Sequence, residues 1–456
     1  MTGQTSRLLF IAALWITIVA STPRVIRTPI LGFGIIYVVF FMAITWKRPA
    51  IGLCLAFALA PFNQDVGVGL PVAMAIGEIN VAICFLVFVL QNIMRHRPMH
   101  AGPLTIPIGL YLSVCIISSA GTWRGASALT SIFQMLLYFE AAVVVFAWFA
   151  NSFRDYMPAL YGLVCVGVLI SLAVITTGYT FDIEKNHLGG SLAMAFVVCL
   201  ELWISVTDAH RVVISIPSAS HRVKDKLGLG RIGLGLALLS TGAGLVLSLS
   251  RGAWLGALAA VCIMLIMHRR TKLAAQIASA AIPVIVLCWI SLPQAAQDYA
   301  SNFSTSKYNI QARFNSEEFA LAQFDSSPVY GSGVGLRKEF DATNLVLTTL
   351  AETGVLGLIT LAAIYIAYFM MIWDVYRRLP PNDPLLSILI VSVGCVVCHL
   401  GHGMVDHYWT RGALLNSWAA VGMAVAVHHH VCRRPAPTPV PVPPRPKRPE
   451  TWRRRR

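Results

Sequence analysis

Gly354-Val-Leu-Gly-Leu-Ile-Thr-Leu-Ala-Ala-Ile-Tyr-Ile-Ala-Tyr-Phe-Met-Met-Ile-Trp373 carries no formal charge and no proline. It is as long as the roughly 20 residues a helix needs to cross bilayer hydrocarbon. Working outward from it, further apolar runs bounded by polar or Pro/Gly breaks fall at 8–22, 26–46, 50–62, 74–94, 104–121, 129–150, 157–179, 188–206, 232–249, 251–268, 273–292, 351–373, 385–404 and 412–429. The first and third are short for a full crossing. The pattern predicts an all-α, polytopic transmembrane helical bundle of about twelve to fourteen spans.

Composition agrees. The 456 residues are 57% hydrophobic and 12% charged, where a soluble domain carries about a quarter charged residues. Lipid must solvate most of this apolar surface. A single transmembrane domain over 1–430, followed by a basic proline-rich tail over 431–456, is the expected organisation. Leu8 to Ser21 lacks a small-residue cleavage site, so no cleaved signal peptide is predicted.

The excess of 35 Lys and Arg over 20 Asp and Glu would suggest nucleic acid in a soluble chain, but its distribution argues for topology instead. With the N-terminus in the cytoplasm and spans alternating, Lys47, Arg48, Arg95, Arg97, Arg154, the segment Arg211 to Arg231, Arg269, Arg270, Lys272, Arg377, Arg378 and the tail ending in Arg453 to Arg456 all face inward. That is the positive-inside pattern. It predicts an inner-membrane protein with both termini cytoplasmic, in contact with membrane lipids and not with nucleic acid. Nine of the ten cysteines lie in apolar runs, where Cys acts as a small hydrophobe. Cys395-Val-Val-Cys398-His399 has no second ligand pair, so neither a disulfide framework nor a metal centre is predicted. His428-His429-His430 reads as interfacial.

Four outward-facing groups of residues suit chemistry. Ser248-Leu-Ser-Arg251-Gly-Ala-Trp254 places an arginine where one span leaves the membrane and the next re-enters; a guanidinium there is well shaped for phosphate. Phe181-Asp-Ile-Glu184-Lys185-Asn186-His187 packs a cation and an imidazole into a short connection. The outer loop from 293 to 343 contains a helical stretch, Asn309 to Phe324, with Ile310, Phe314, Leu321 and Phe324 near one face and Arg313 on another, as an interfacial helix would. Tyr330-Gly-Ser-Gly-Val-Gly335 then makes a turn, and Arg337, Lys338, Asp341, Asn344 and Glu352 follow. Finally, His399-Leu-Gly-His402-Gly-Met-Val-Asp406-His407-Tyr-Trp-Thr-Arg411 crowds the outer end of a late span. Glu78, Glu140 and Glu201 lie within spans, and intramembrane carboxylates face the bundle interior.

Ser250-Arg251-Gly-Ala-Trp-Leu255, the outer loop ending Pro328-Val-Tyr-Gly331-Ser-Gly333-Val-Gly335, and Asn344-Leu-Val-Leu-Thr-Thr-Leu-Ala-Glu352-Thr-Gly354-Val-Leu-Gly357 together resemble the O-antigen ligase and polymerase superfamily, chiefly over residues 180–375. The resemblance implies a metal-independent, cofactor-free membrane glycosyltransferase. Its donor would be an undecaprenyl-diphosphate-linked glycan, its acceptor a lipid or another lipid-linked glycan, and its active site periplasmic. It implies that Arg251 holds the donor pyrophosphate, with Lys185 as the nearest equivalent of a second basic residue. Arg313, Arg337, Lys338, Asn344 and Arg411 are the further substrate-binding residues expected. Relatives commonly carry His-Asn where this chain has Thr343-Asn344, so the general base is sought among Asp341, Glu352, His187 and His407. Two alternatives stand beside this reading: a transporter or flippase, motivated by the three intramembrane glutamates, and a non-catalytic member of an envelope-polysaccharide complex whose assembly proteins dock on the tail.

Overall fold

The computed structural model describes residues 29–64, 74–97, 101–121, 125–214, 221–270, 308–336, 344–381, 383–406 and 411–433. Among these residues every regular element is helical and there is no strand. In chain order they are α1 (Pro29–Lys47), α2 (Pro49–Ala58), α3 (Ile76–Met94), α4 (Thr105–Gly121), α5 (Ala126–Met135), a π-helical turn (Leu136–Ala142), α6 (Val143–Trp148), a 3-10 turn (Phe153–Tyr156), α7 (Met157–Thr177), α8 (Lys185–Ile214), α9 (His221–Leu247), α10 (Arg251–Met267), α11 (Tyr308–Ser326), α12 (Leu345–Arg378), α13 (Pro384–Gly403) and α14 (Arg411–Arg433). Among the described residues, seven helices are long and apolar enough to cross a membrane, and shorter apolar helices accompany them. The chain is a polytopic helical membrane protein. The predicted runs at 8–22 and 273–292 lie outside the described residues.

Two helices show the extremes of solvation. Along α9, Leu229, Ile232, Leu236 and Leu239 recur every three or four residues and are all exposed, an apolar stripe suited to lipid. By contrast, α14 is buried almost throughout, packed on α6, α8, α12 and α13. It is not among the seven long apolar spans, because it carries Arg411 and three histidines. Protein on all sides replaces the lipid that such polar groups would not tolerate.

Helix approach is set by small residues. A Cβ on Gly256 of α10 would collide with the Cys398 carbonyl oxygen of α13, and one on Gly401 would lie 3.0 Å from the Gly256 Cα. One turn earlier, a Cβ on Gly252 would meet His402 Cδ2 at 2.6 Å and Asp406 Cβ at 2.8 Å. Gly252-Ala-Trp-Leu-Gly256 is therefore a glycine seam of the kind that lets membrane helices touch backbone to backbone. A second small-residue contact seats Gly189 of α8 against Ser250.

Loop and helix meet at one further place. α12 is broken at Gly354, whose φ of 64° and ψ of −165° lie in a region open to glycine. The break frees backbone groups that the glycine-rich turn then satisfies: Val355 N–H donates to Pro328 O at 2.9 Å, Ser332 N–H to Ala351 O at 2.8 Å and Gly333 N–H to Glu352 O at 3.0 Å. The predicted interfacial helix exists as α11 and lies on α12, but its buried contact is made by Ala320 with Ala351 and Leu336. Phe314 and Leu321, expected on the apolar face, remain exposed.

Gly256→Leu must force α10 from α13, and overpacking of this kind costs about 1–3 kcal/mol. Thermal unfolding in detergent should show a lowered midpoint for Gly256→Leu and an unchanged one for Gly109→Leu, where a Cβ meets nothing within 4 Å. Equal midpoints would remove the seam from the account.

Candidate functional site

Lys185, Asn186 and His187 form the first turn of α8, which follows a sharp reversal at Phe181 and Asp182, both with positive φ. Arg251 opens α10 behind Leu249, another residue with positive φ, and Ser250 at the cap. Two helix N-termini thus face the same end of the bundle, each presenting the positive end of its dipole. The seam between α10 and α13 sets the end of α13 against them, with Asp406 N–H donating to His402 O at 3.0 Å in the last turn.

A continuous set of polar contacts joins these ends. Ser250 Oγ donates to Asn186 Oδ1 at 3.4 Å, and Asn186 Nδ2 donates to Asp406 Oδ1 at 3.1 Å. The same carboxylate oxygen accepts Arg313 Nη2 of α11 at 3.2 Å. Arg313 Nη1 also reaches Val405 O at 3.4 Å, and Asn344 Nδ2 reaches Met404 O at 3.1 Å. Asn344 does two jobs, since its Oδ1 caps α12 by accepting Val346 N–H at 2.8 Å and Leu347 N–H at 3.3 Å. On the other side, His187 Nδ1 meets Asn63 Nδ2 and lies 3.9 Å from Glu184. Arg251 itself is exposed between two residues fixed in this set.

The structure therefore brings Lys185, His187, Arg251, Arg313 and Asn344 to one end of the bundle. Arg411 is close by but differently employed. Its Nε and Nη2 hold Glu78 Oε1 and Oε2 at 2.9 and 2.6 Å, and its Nη1 donates to Asn63 O at 3.3 Å. Glu78 also accepts from Tyr138 and from Ala75 N–H. Glu352 points elsewhere: it is buried, and its Oε1 accepts Gly335 N–H at 3.0 Å, holding the glycine-rich turn against α12. Arg337, Lys338, Asp341, Thr343 and His407 lie outside the described residues.

Asp406 and Asn186 lie in stretches that the sequence singles out but were not among the expected site residues, and Asn63 was not singled out. Asp406 sits beside His407 at the end of an apolar run, and only its burial, at 3% exposed, distinguishes it. Of the intramembrane glutamates, Glu78 is closed by Arg411, and Glu201 accepts from Ser205 Oγ at 3.0 Å and pairs with His268 Nε2 at 2.7 Å. Glu201 lines a cavity of about 1160 Å³ at the His268 end of α10, opposite Arg251, and none of the predicted site residues lines it.

Removing one partner of a buried ion pair strands the other and costs about 3–5 kcal/mol. Arg411→Met should therefore destabilise the detergent-solubilised protein strongly, and adding Glu78→Leu should recover part of the loss. A double variant as unstable as the sum of the two single variants would show that the pair is not coupled.

The chain also matches known proteins at one place. Residues 236–362 match the family model described as O-antigen ligase. This segment runs from α9 into α12 and includes Arg251, Arg313, Asn344 and Glu352. No curated protein matches the chain. Lys185, His187 and Asp406 come from outside the matched segment, yet the fold sets them against it. The match covers well under half of the chain; with the order of its motifs and its helical membrane architecture, it shows a likeness to the O-antigen ligase and polymerase superfamily.

Proposed function

We propose that this protein is a membrane glycosyltransferase that moves a glycan from an undecaprenyl-diphosphate donor to a lipid or glycan acceptor at the Arg251 end of the bundle, on the periplasmic face. The family supports glycosyl transfer with lipid-linked glycans in general. The observation that carries the finer reading is that one set of contacts, Ser250 to Asn186 to Asp406 to Arg313, joins the starts of α8 and α10, whose first residues are Lys185 and Arg251.

The chemistry asks for little else. An acceptor hydroxyl attacks the anomeric carbon, the bond from that carbon to the diphosphate oxygen breaks, and the diphosphate leaves with the bonding electrons. Negative charge grows on the leaving group, and preorganised cations and N–H groups at that point stabilise the transition state more than the ground state. Arg251, exposed at the start of α10, is the residue that would grip the diphosphate. Lys185 would add charge beside it. Arg313, tied to Asp406, would seat α11 over the donor, and Arg337 and Lys338 are further candidates for binding substrate.

The attacking hydroxyl must lose its proton. Among the expected base residues at this end that the structure describes, His187 is the partly exposed one, and Asp406, Asp182 and Glu184 lie nearby. Both neighbours of Asp406 Oδ1 are donors that fix it in place, which suits a positioning role. Imidazole exchanges a proton near neutral pH, and the His187 side chain is 20% exposed. We therefore assign the base to His187, with Asp341 and His407 as its competitors and Glu352 as a structural carboxylate. The acceptor, whether lipid A–core or a second lipid-linked repeat, decides between ligase and polymerase.

A transporter is the second reading, carried by the cavity lined by Glu201. Purified protein in liposomes, given polyprenyl-diphosphate glycan and acceptor, separates the two. Transfer predicts a new glycosidic bond, a fall in kcat of about 10²–10³ for Arg251→Ala from the loss of one charge-stabilising group, and a fall in kcat with donor binding retained for His187→Gln. Substrate crossing the bilayer without a new bond, or turnover unchanged in Arg251→Ala, would overturn the assignment.

A further inference from the structure

At the end of α14 opposite Arg411, the sequence reads His428-His429-His430-Val431-Cys432-Arg433. The three histidines do not act together. His429 stands edge-on to Trp148, with centroids 4.7 Å apart, and His430 edge-on to Phe153 at 5.0 Å. His428 has a different environment. Its Nε2 lies 3.5 Å from Cys432 Sγ, one turn further along the same helix. Asp374 of α12 completes a trio whose donor atoms all lie within 4.8 Å of one another.

We propose that Asp374, His428 and Cys432 form a binding site for a zinc-class divalent cation that joins α12 to α14. The donor set is one imidazole nitrogen, one thiolate and one carboxylate, a mixture that suits Zn²⁺ and disfavours the all-oxygen preference of Mg²⁺ or Ca²⁺. Spacing agrees as well. Residues i and i+4 share a helix face, and Zn–S and Zn–N bonds of about 2.3 and 2.05 Å at a tetrahedral angle put the two donors about 3.6 Å apart. The observed separation is 3.5 Å.

The carboxylate is also held for the purpose. Arg378 donates from Nε at 3.0 Å and from Nη2 at 2.9 Å, both to Oδ1 of Asp374. Among the described residues nothing is bonded to Oδ2, so the arginine orients the carboxylate as an outer partner and leaves one oxygen for an ion. Cys432 is exposed, so solvent can deliver the ion and water can take the fourth position. A simple S–H hydrogen bond to imidazole would explain the sulfur–nitrogen contact alone. It would not explain the carboxylate brought in from another helix. The site lies at the far end of the bundle from Arg251 and plays no part in glycosyl transfer. Its effect would be to tie the end of α14, where the basic proline-rich segment begins, to α12.

The test uses the full chain in detergent, stripped of metal with a chelator and titrated with Co²⁺ and then Zn²⁺. The proposal expects one equivalent of Co²⁺ with a thiolate-to-cobalt charge-transfer band, displaced by Zn²⁺, and a raised thermal midpoint with Zn²⁺. In Cys432→Ser the band should vanish. In Asp374→Asn, Zn²⁺ affinity should fall by more than the roughly 10–100-fold that losing an outer partner costs. No stoichiometric Co²⁺ binding, or a band that persists in Cys432→Ser, would overturn it. Each variant is compared for its metal-free midpoint, so a folding defect is read separately from lost binding.

Discussion

Backbone contact between α10 and α13 is the constraint on which the rest of the arrangement depends. In lipid there is no hydrophobic gain from bringing two apolar helices together, so close packing and small residues must hold them. Gly252, Gly256 and Gly401 supply that closeness. Because Arg251 is the residue before Gly252, the same seam that packs the helices delivers the arginine to the end of α13. Asp406 then lies at the meeting point, where it bonds Asn186 of α8 and Arg313 of α11. One packing decision thus positions residues from four helices.

The second requirement is that polar groups inside the bundle be satisfied. Glu78 and Arg411 lie 333 positions apart in sequence, yet they form two hydrogen bonds in a nearly closed setting, with side-chain exposures of 2% and 14%. Such a pair is weak evidence for stability in itself, since desolvation cancels much of the attraction. Its value is in register: it fixes the start of α14 against α3, and α14 runs through the centre of the molecule. Glu201 and His268 do the same between α8 and the end of α10. Two of the three intramembrane glutamates that suggest a transport path from sequence, Glu78 and Glu201, are thus employed in holding helices.

The helices were readable because lipid leaves a one-dimensional record: apolar runs of crossing length, with breaks at Leu247–Arg251 and after Gly403 close to where they were expected. Arg251 was readable for a related reason, since a charge at a span boundary is conspicuous. The contact between Arg313 and Asp406 was not. It joins residues 93 apart through packing that depends on glycines elsewhere, and no periodicity encodes it. Glu352 shows the converse. It has the residue type and setting of a catalytic group, but its carboxylate holds Gly335 N–H beneath the break at Gly354. The helix α11 was legible as an amphipathic stretch, and its exposed Phe314 and Leu321 suit an interface, but its contact with α12 through Ala320 and Phe319 is not encoded by apolar size.

The central claim is that the ends of α8, α10, α11 and α13 compose one diphosphate site. An electron cryomicroscopy structure of the protein in nanodiscs with a bound polyprenyl-diphosphate glycan tests it most directly. The account predicts diphosphate density at the N-terminus of α10, within hydrogen-bond reach of the Arg251 guanidinium and beneath Arg313. Density at the opposite end, in the cavity lined by Glu201, would contradict it.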